Sequence, residues 1–119
     1  MTAMIQHHEI SKELCQEFPD LEPELKLEQN RRNLHRQLAC FASYTNRFLD
    51  TLNLDGARRC FREANKLLQE GDQQVRHALQ VSYLYTLHLY NGGNYLQWRL
   101  LMGPALVRCS RQMTHNQLP

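Results

Sequence analysis

Glycine is scarce in this chain, with five residues in 119 and none before Gly56. No useful stretch alternates apolar and polar residues as a half-buried strand would. Together these two absences exclude a strand-rich fold and leave helix nearly throughout. The four cysteines, Cys15, Cys40, Cys60 and Cys109, are far apart and form no CxxC pair, so the usual zinc and thioredoxin-like spacings are excluded and the thiols read as small core residues. Long apolar runs are missing as well. The most apolar stretch, Leu79 to Tyr90, is interrupted by Gln80 and His88 and is too short to span a bilayer. No charged, apolar, small-residue leader opens the chain. The expectation is a soluble protein in a reducing, cytoplasmic setting, with no membrane.

Reaction motifs are equally absent. There is no GxSxG, and "NGGNY" has neither a P-loop lysine nor GxGxxG spacing, so it reads as a helix stop. The six histidines form no HxxxH, HExxH or ExxH pair. His7 and His8 diverge around a helix, and His77 and His88 stand eleven residues apart, about 16 Å along a helix. Only a histidine site assembled from separate helices stays open. No catalytic residue, metal ligand or cofactor is therefore assigned.

With 42% apolar and 22% charged residues, the chain has the composition of one ordinary globular domain spanning 1–119. A net charge of +2 conceals a division. Residues 1–29 carry a net −5 and the remainder a net +7, so the acidic segment is expected to lie on the basic body and neutralise part of it. Residues 1–23 read as an acidic N-terminal helix with a proline-containing linker, and 24–119 as the helical body.

The first helix is predicted from about Thr2 to Glu17, ended by Pro19 and Pro23. A second, from Glu24 or Asn30 to Leu52, carries the stripe Leu34, Leu38, Phe41, Thr45, Phe48 and Leu52. Asp55 is expected to cap a third with Ala57, Cys60, Phe61, Ala64, Leu67 and Leu68 inward, and Gly71 to close it in a left-handed conformation. Asp72 then caps a fourth, forming a tight hairpin with the third. That fourth helix, "VRHALQVSYLYTLHLY", is apolar in nearly every direction, which suits a central helix or an interface. Its Tyr83, Tyr85 and Tyr90 can bury rings while keeping hydroxyls at a polar rim.

"LLMGPALVR" poses a local problem, because proline inside a helix costs about 3 kcal/mol or more. At a first helical position it costs little. Gly103 is thus expected to end a fifth helix, Tyr95–Met102, and Pro104 to begin a sixth that packs Leu106, Val107, Cys109 and Met113. No self-similarity at 34–45 residues supports a solenoid. The fold class is all-α, a compact bundle of five or six helices with a central helical hairpin.

"FREANKLLQEGDQQVRHALQVSYLYTL" (Phe61–Leu87) and "LLMGPALVR" (Leu100–Arg108) resemble an uncharacterised family, a domain of unknown function, of small all-helical bacterial proteins. The resemblance implies a bacterial origin and a helical fold, and no activity or site residue.

Small size, missing reaction motifs and polarised charge favour a non-enzymatic protein-interaction module, for example an immunity- or antitoxin-like protein. Its candidate contact residues are Tyr83, Tyr85, Tyr90, Arg58, Arg59 and Arg62, with Gly103 and Pro104 as a structural corner. The alternative is nucleic-acid binding through Arg31, Arg32 and Arg36 on the second helix and Arg58, Arg59 and Arg62 on the third. A third class is a small enzyme or ligand-binding bundle with a pocket along the fourth helix. Monomer and homodimer are both compatible with the pattern.

Overall fold

Residues 4–88 and 95–117, with side chains as far as 110, are described by a computed structural model. Among them α1 (Ile10–Glu17), α2 (Glu22–Leu25), α3 (Leu34–Asp50), α4 (Leu54–Glu70), α5 (Gln73–Ala78), α6 (Tyr95–Met102) and α7 (Pro104–Gln117) follow in order, with no strand. The fold measures 35 × 32 × 28 Å.

The N-terminus departs from expectation. Helix α1 starts only at Ile10, after a 3-10 turn at His7–Glu9. Upstream, Ile5 bridges Gly71 instead of continuing a helix: its N–H donates to Glu70 O at 2.7 Å, and its carbonyl accepts from Asp72 N–H at 2.9 Å. Asp72 Oδ2 also accepts from His7 N–H at 2.8 Å. Pro19 ends α1 as expected by holding Phe18 out of the helical region, at φ −134° and ψ 82°. Pro23 breaks nothing, because it falls in the first turn of α2, where its missing N–H is not needed.

Helix α3 begins at Leu34, with its apolar stripe, and not at Glu24 or Asn30 as expected. Asn33 caps it, accepting from Arg36 N–H at 3.1 Å. The preceding loop is tied inward by the buried amides of Asn30 and Gln37. Asn30 Nδ2 donates to Glu24 O at 2.8 Å, and Gln37 Nε2 donates to the carbonyls of Asn30 and Arg31. Arg31 and Arg32 consequently lie before α3, not on it. Leu38, Phe41 and Thr45 are buried on the expected face. Leu52 is not: it is exposed in the left-handed region at φ 56°, with N–H bonds from Leu52 to Leu49 O and from Asn53 to Phe48 O closing the helix.

This turn moves the next cap by two residues. Asn53, not Asp55, caps α4, accepting from Gly56 N–H at 3.0 Å. A Cβ on Gly56 would collide with the Phe48 ring. Gly71 is extended (φ −74°, ψ 154°), not left-handed. Glycine is required there by closeness, since a Cβ would meet Leu67 O and the Val75 side chain. Asp72 caps α5 as expected, accepting from Val75 N–H at 2.8 Å.

The fourth predicted helix does not run on regularly. After Ala78 the chain widens into a π turn at Leu79–Tyr83, tightens into a 3-10 turn at Leu84–Thr86 and is extended at Leu87. Buried Asn46 of α3 holds this end in place, with Nδ2 donating to Thr86 O at 3.0 Å and Oδ1 accepting from His88 N–H at 2.8 Å. The segment is central on one face, where Val75, Ala78, Leu79, Tyr83 and Leu84 are buried against α3, α4 and α7. It is not covered all round, because Val81 and Tyr85 are exposed.

The fifth and sixth helices and their corner match the sequence reading. Gly103 sits at φ +85°, and Pro104 opens α7. Asn65 of α4 donates from Nδ2 to Met102 O at 2.8 Å, satisfying a carbonyl at the end of α6. Trp98, Met102, Leu106 and Val107 are buried, and Cys109 is half-buried against them. Asn91–Asn94 and the Met113 side chain lie outside the described residues.

Candidate functional site

The residues singled out for partner contact land in different environments. Tyr83 has no accessible surface. Its ring lies 4.6 Å from that of Phe41, its hydroxyl is 2.9 Å from Thr45 Oγ1, and burial pushes its phenol well above the ordinary tyrosine range. It is a core residue and cannot meet a partner, because Thr45 supplies inside the fold the polar contact that a rim would have supplied outside. Tyr85 is 64% exposed. Tyr90 lies outside the described residues.

Arg58, Arg59 and Arg62 line the exposed side of α4. Arg58 pairs with Asp55 at 3.5 Å, and the Arg59 guanidinium lies 5.6 Å from the centre of the Phe18 ring. Arg62 shares a cleft of about 170 Å³ with Glu17, Arg59, Glu63 and Lys66. The acidic segment does reach the basic body, through Glu13–Lys66 at 3.0 Å and Glu24–Arg47 at 2.9 Å.

Beside that cleft, carboxylate oxygens of Glu13, Glu17 and Glu63 converge within 4.8 Å. Glu63 is only 4% exposed, and its Oε1 has no hydrogen-bond partner. Burial, followed by the hydrogen bond and negative charge of Glu13, pushes Glu63 up to about 8, so it is a neutral acid at pH 7. Burial also pulls Glu13 upward, but hydrogen bonds from Glu63 and Lys66 outweigh it and hold Glu13 below the ordinary glutamate range. A proton on Glu63 and the Lys66 ammonium beside Glu13 thus offset two of the three carboxyl charges, and Glu17 keeps the third. The cluster joins α1 to α4.

A serine–histidine contact also exists: His35 Nδ1 lies 2.7 Å from Ser82 Oγ in the π turn, with His77 edge-on to the His35 ring. Among the described residues no carboxylate touches His35, so the pair lacks the orienting acid of a nucleophilic triad.

Among the described residues, the least covered apolar side chains lie elsewhere, on α6. Leu96 and Leu100, one turn apart, are 70% and 84% exposed, while Trp98 and Met102 on the other side are buried. Leu100 opens onto a cleft of about 440 Å³ at the Gly103–Pro104 corner, bounded by Arg99 and Arg108. The sequence reading missed these leucines. A signal was available: Leu96/Leu100 and Trp98/Met102 are two apolar pairs on opposite sides of one short helix, and only one side can face the core.

No curated protein and no solved structure matches the chain significantly. A family model does, over residues 11–117, which span α1 to the end of α7. The chain belongs to the family described as a domain of unknown function, DUF7674.

Proposed function

We propose that the protein is a non-enzymatic interaction module that binds an acidic partner protein through the outer face of α6 and the adjoining α6–α7 corner. An immunity- or antitoxin-like role is the specific form of this reading. The observation that carries it is the exposed Leu96–Leu100 pair, with Arg99 and Arg108 lining the cleft onto which Leu100 opens. Two large aliphatic side chains on one turn are a natural hydrophobic anchor, and a cationic rim selects partners of opposite charge. The chain has no aspartate or glutamate after Asp72, so this half offers nothing to repel an acidic surface.

The arginine-based nucleic-acid reading is less well supported. Arg31 and Arg32 are off α3, Arg58 is paired, and Arg59 rests on Phe18.

The test is affinity capture from the native host's lysate, with and without nuclease and with a high-salt wash, using the wild type and the double variant L96S/L100S. A protein retained by the wild type and lost by the variant is expected. Equal retention by both would move the contact off α6. Retention that vanishes with nuclease would restore the nucleic-acid alternative.

A further inference from the structure

We infer that the groove between α5 and α7 is a binding site for a small organic oxyanion, a carboxylate- or phosphate-bearing molecule, held by Arg76 and Arg108. The groove has a volume of about 560 Å³, inside the usual range of ligand sites. Leu96 and Leu100 do not line it, although Arg108 is shared with the cleft at the α6–α7 corner.

The construction of the groove follows from helix geometry. Gln73, Arg76 and Gln80 recur at intervals of three and four along α5 and its π continuation, so they share one face. That face looks across to Arg108 and Cys109 of α7, with Leu68 of α4 also lining the groove. At one point the walls touch, where Gln80 Nε2 donates to Cys109 Sγ at 3.7 Å. The lining therefore offers two guanidiniums, side-chain amides and apolar surface. Planar guanidinium forks match the paired oxygens of a carboxylate or phosphate, amides hydrogen-bond polar substituents, and the apolar part accepts a carbon skeleton.

What points to an anion is the lack of an internal one. Several basic side chains meet a carboxylate within the fold: Lys66 meets Glu13, Arg47 meets Glu24 and Arg58 meets Asp55. Among the described residues, Arg76 and Arg108 meet none. The nearest acidic residue in sequence, Asp72, is turned toward His7 and the Val75 N–H, and none follows it in the chain. Two like charges thus line one concave surface with no internal counter-ion. An incoming oxyanion supplies it.

The experiment is titration of the full chain with citrate, with inorganic phosphate and with a hexaglutamate peptide, followed by calorimetry and by thermal melting. Sodium chloride at matched ionic strength is the reference. Wild type, R76Q, R108Q and K12Q are compared, the last removing an exposed cation of α1 outside the groove. Saturable binding of citrate or phosphate is expected, with a melting temperature raised above the chloride reference. Affinity should fall at least tenfold in R76Q and in R108Q and stay within twofold in K12Q. Binding of hexaglutamate alone overturns the small-molecule site and assigns Arg108 to the acidic-partner surface at the α6–α7 corner. No binding beyond the chloride reference, or equal binding in R76Q and R108Q, overturns the site. Arg108 lines both clefts, so R76Q, which touches only the groove, is the variant that separates this site from the α6 surface tested with L96S/L100S.

Discussion

Replacing Glu63 by glutamine should stabilise the protein, and by an amount that depends on pH. The folded chain keeps Glu63 protonated to about pH 8, against an ordinary value of 4.5. The unfolded chain releases that proton above its own pKa, so it binds fewer protons than the folded chain and stability falls as pH rises between the two values. Each pH unit in that window costs about 1.4 kcal/mol. At pH 7 the gap is two and a half units, or roughly 3 kcal/mol, and the depressed pKa of Glu13 offsets part of it. A glutamine retains the shape and donates from its amide to the Glu13 carboxylate, without a proton to hold. Glu63→Gln is therefore expected to add about 2 kcal/mol at pH 7, nothing below pH 4.5, and its full effect above pH 8. In a domain of this size that is a rise in Tm of about 8 °C. Urea and thermal unfolding of both proteins from pH 4 to pH 9 measure the difference directly. Parallel pH curves for wild type and variant would refute the reasoning, because they would mean that Glu63 titrates alike in the folded and unfolded chains.

Gly103→Ala places a Cβ at φ +85°, where it would make only an ordinary contact with Asn65 Nδ2 but the backbone conformation disfavours it; a loss of about 1–2 kcal/mol is expected, and an unchanged Tm would contradict the left-handed corner. Leu52→Gly relieves the same conformation at the end of α3 and removes an exposed leucine. It should raise stability by about 0.5–1 kcal/mol in urea, and a loss of stability there would show that the Leu52 side chain contributes packing.

The corner at Gly103–Pro104 was legible because its cause is local, in the φ preferences of two adjacent residues. The core faces of α3 and α4 were legible because apolar periodicity records which side is inward. Positions set by distant partners were not. Leu52 adopts the left-handed turn despite its Cβ, and that displaced the α4 cap from Asp55 to Asn53, two residues of nearly equal capping preference. Gly71 looked like a helix stop, yet its role is to let Leu67 O and Val75 approach. The π turn gives no signal in periodicity, because Asn46, some forty residues away, holds the end of that segment. Thr45 was the one hint: a hydroxyl on an otherwise apolar stripe needs a buried partner, and Tyr83 is it. At the candidate interface, the apolar nature of α6 was readable but its outward side was not, since nothing in its eight residues says which pair meets α4.

The attachment of Ile5 and His7 to the α4–α5 turn bears on the order in which the molecule assembles. His7 and Asp72 are 65 residues apart, so this junction closes a loop holding more than half the chain, at an entropic cost that local helix pairs do not carry. During synthesis the segment around Ile5 emerges long before the turn that receives it exists. The α3–α4 and α6–α7 connections close over a few residues and can form as soon as their helices are made. The N-terminal segment then docks onto a scaffold already in place, as a late latch, and α1 brings Glu13 to Glu63 at that same step.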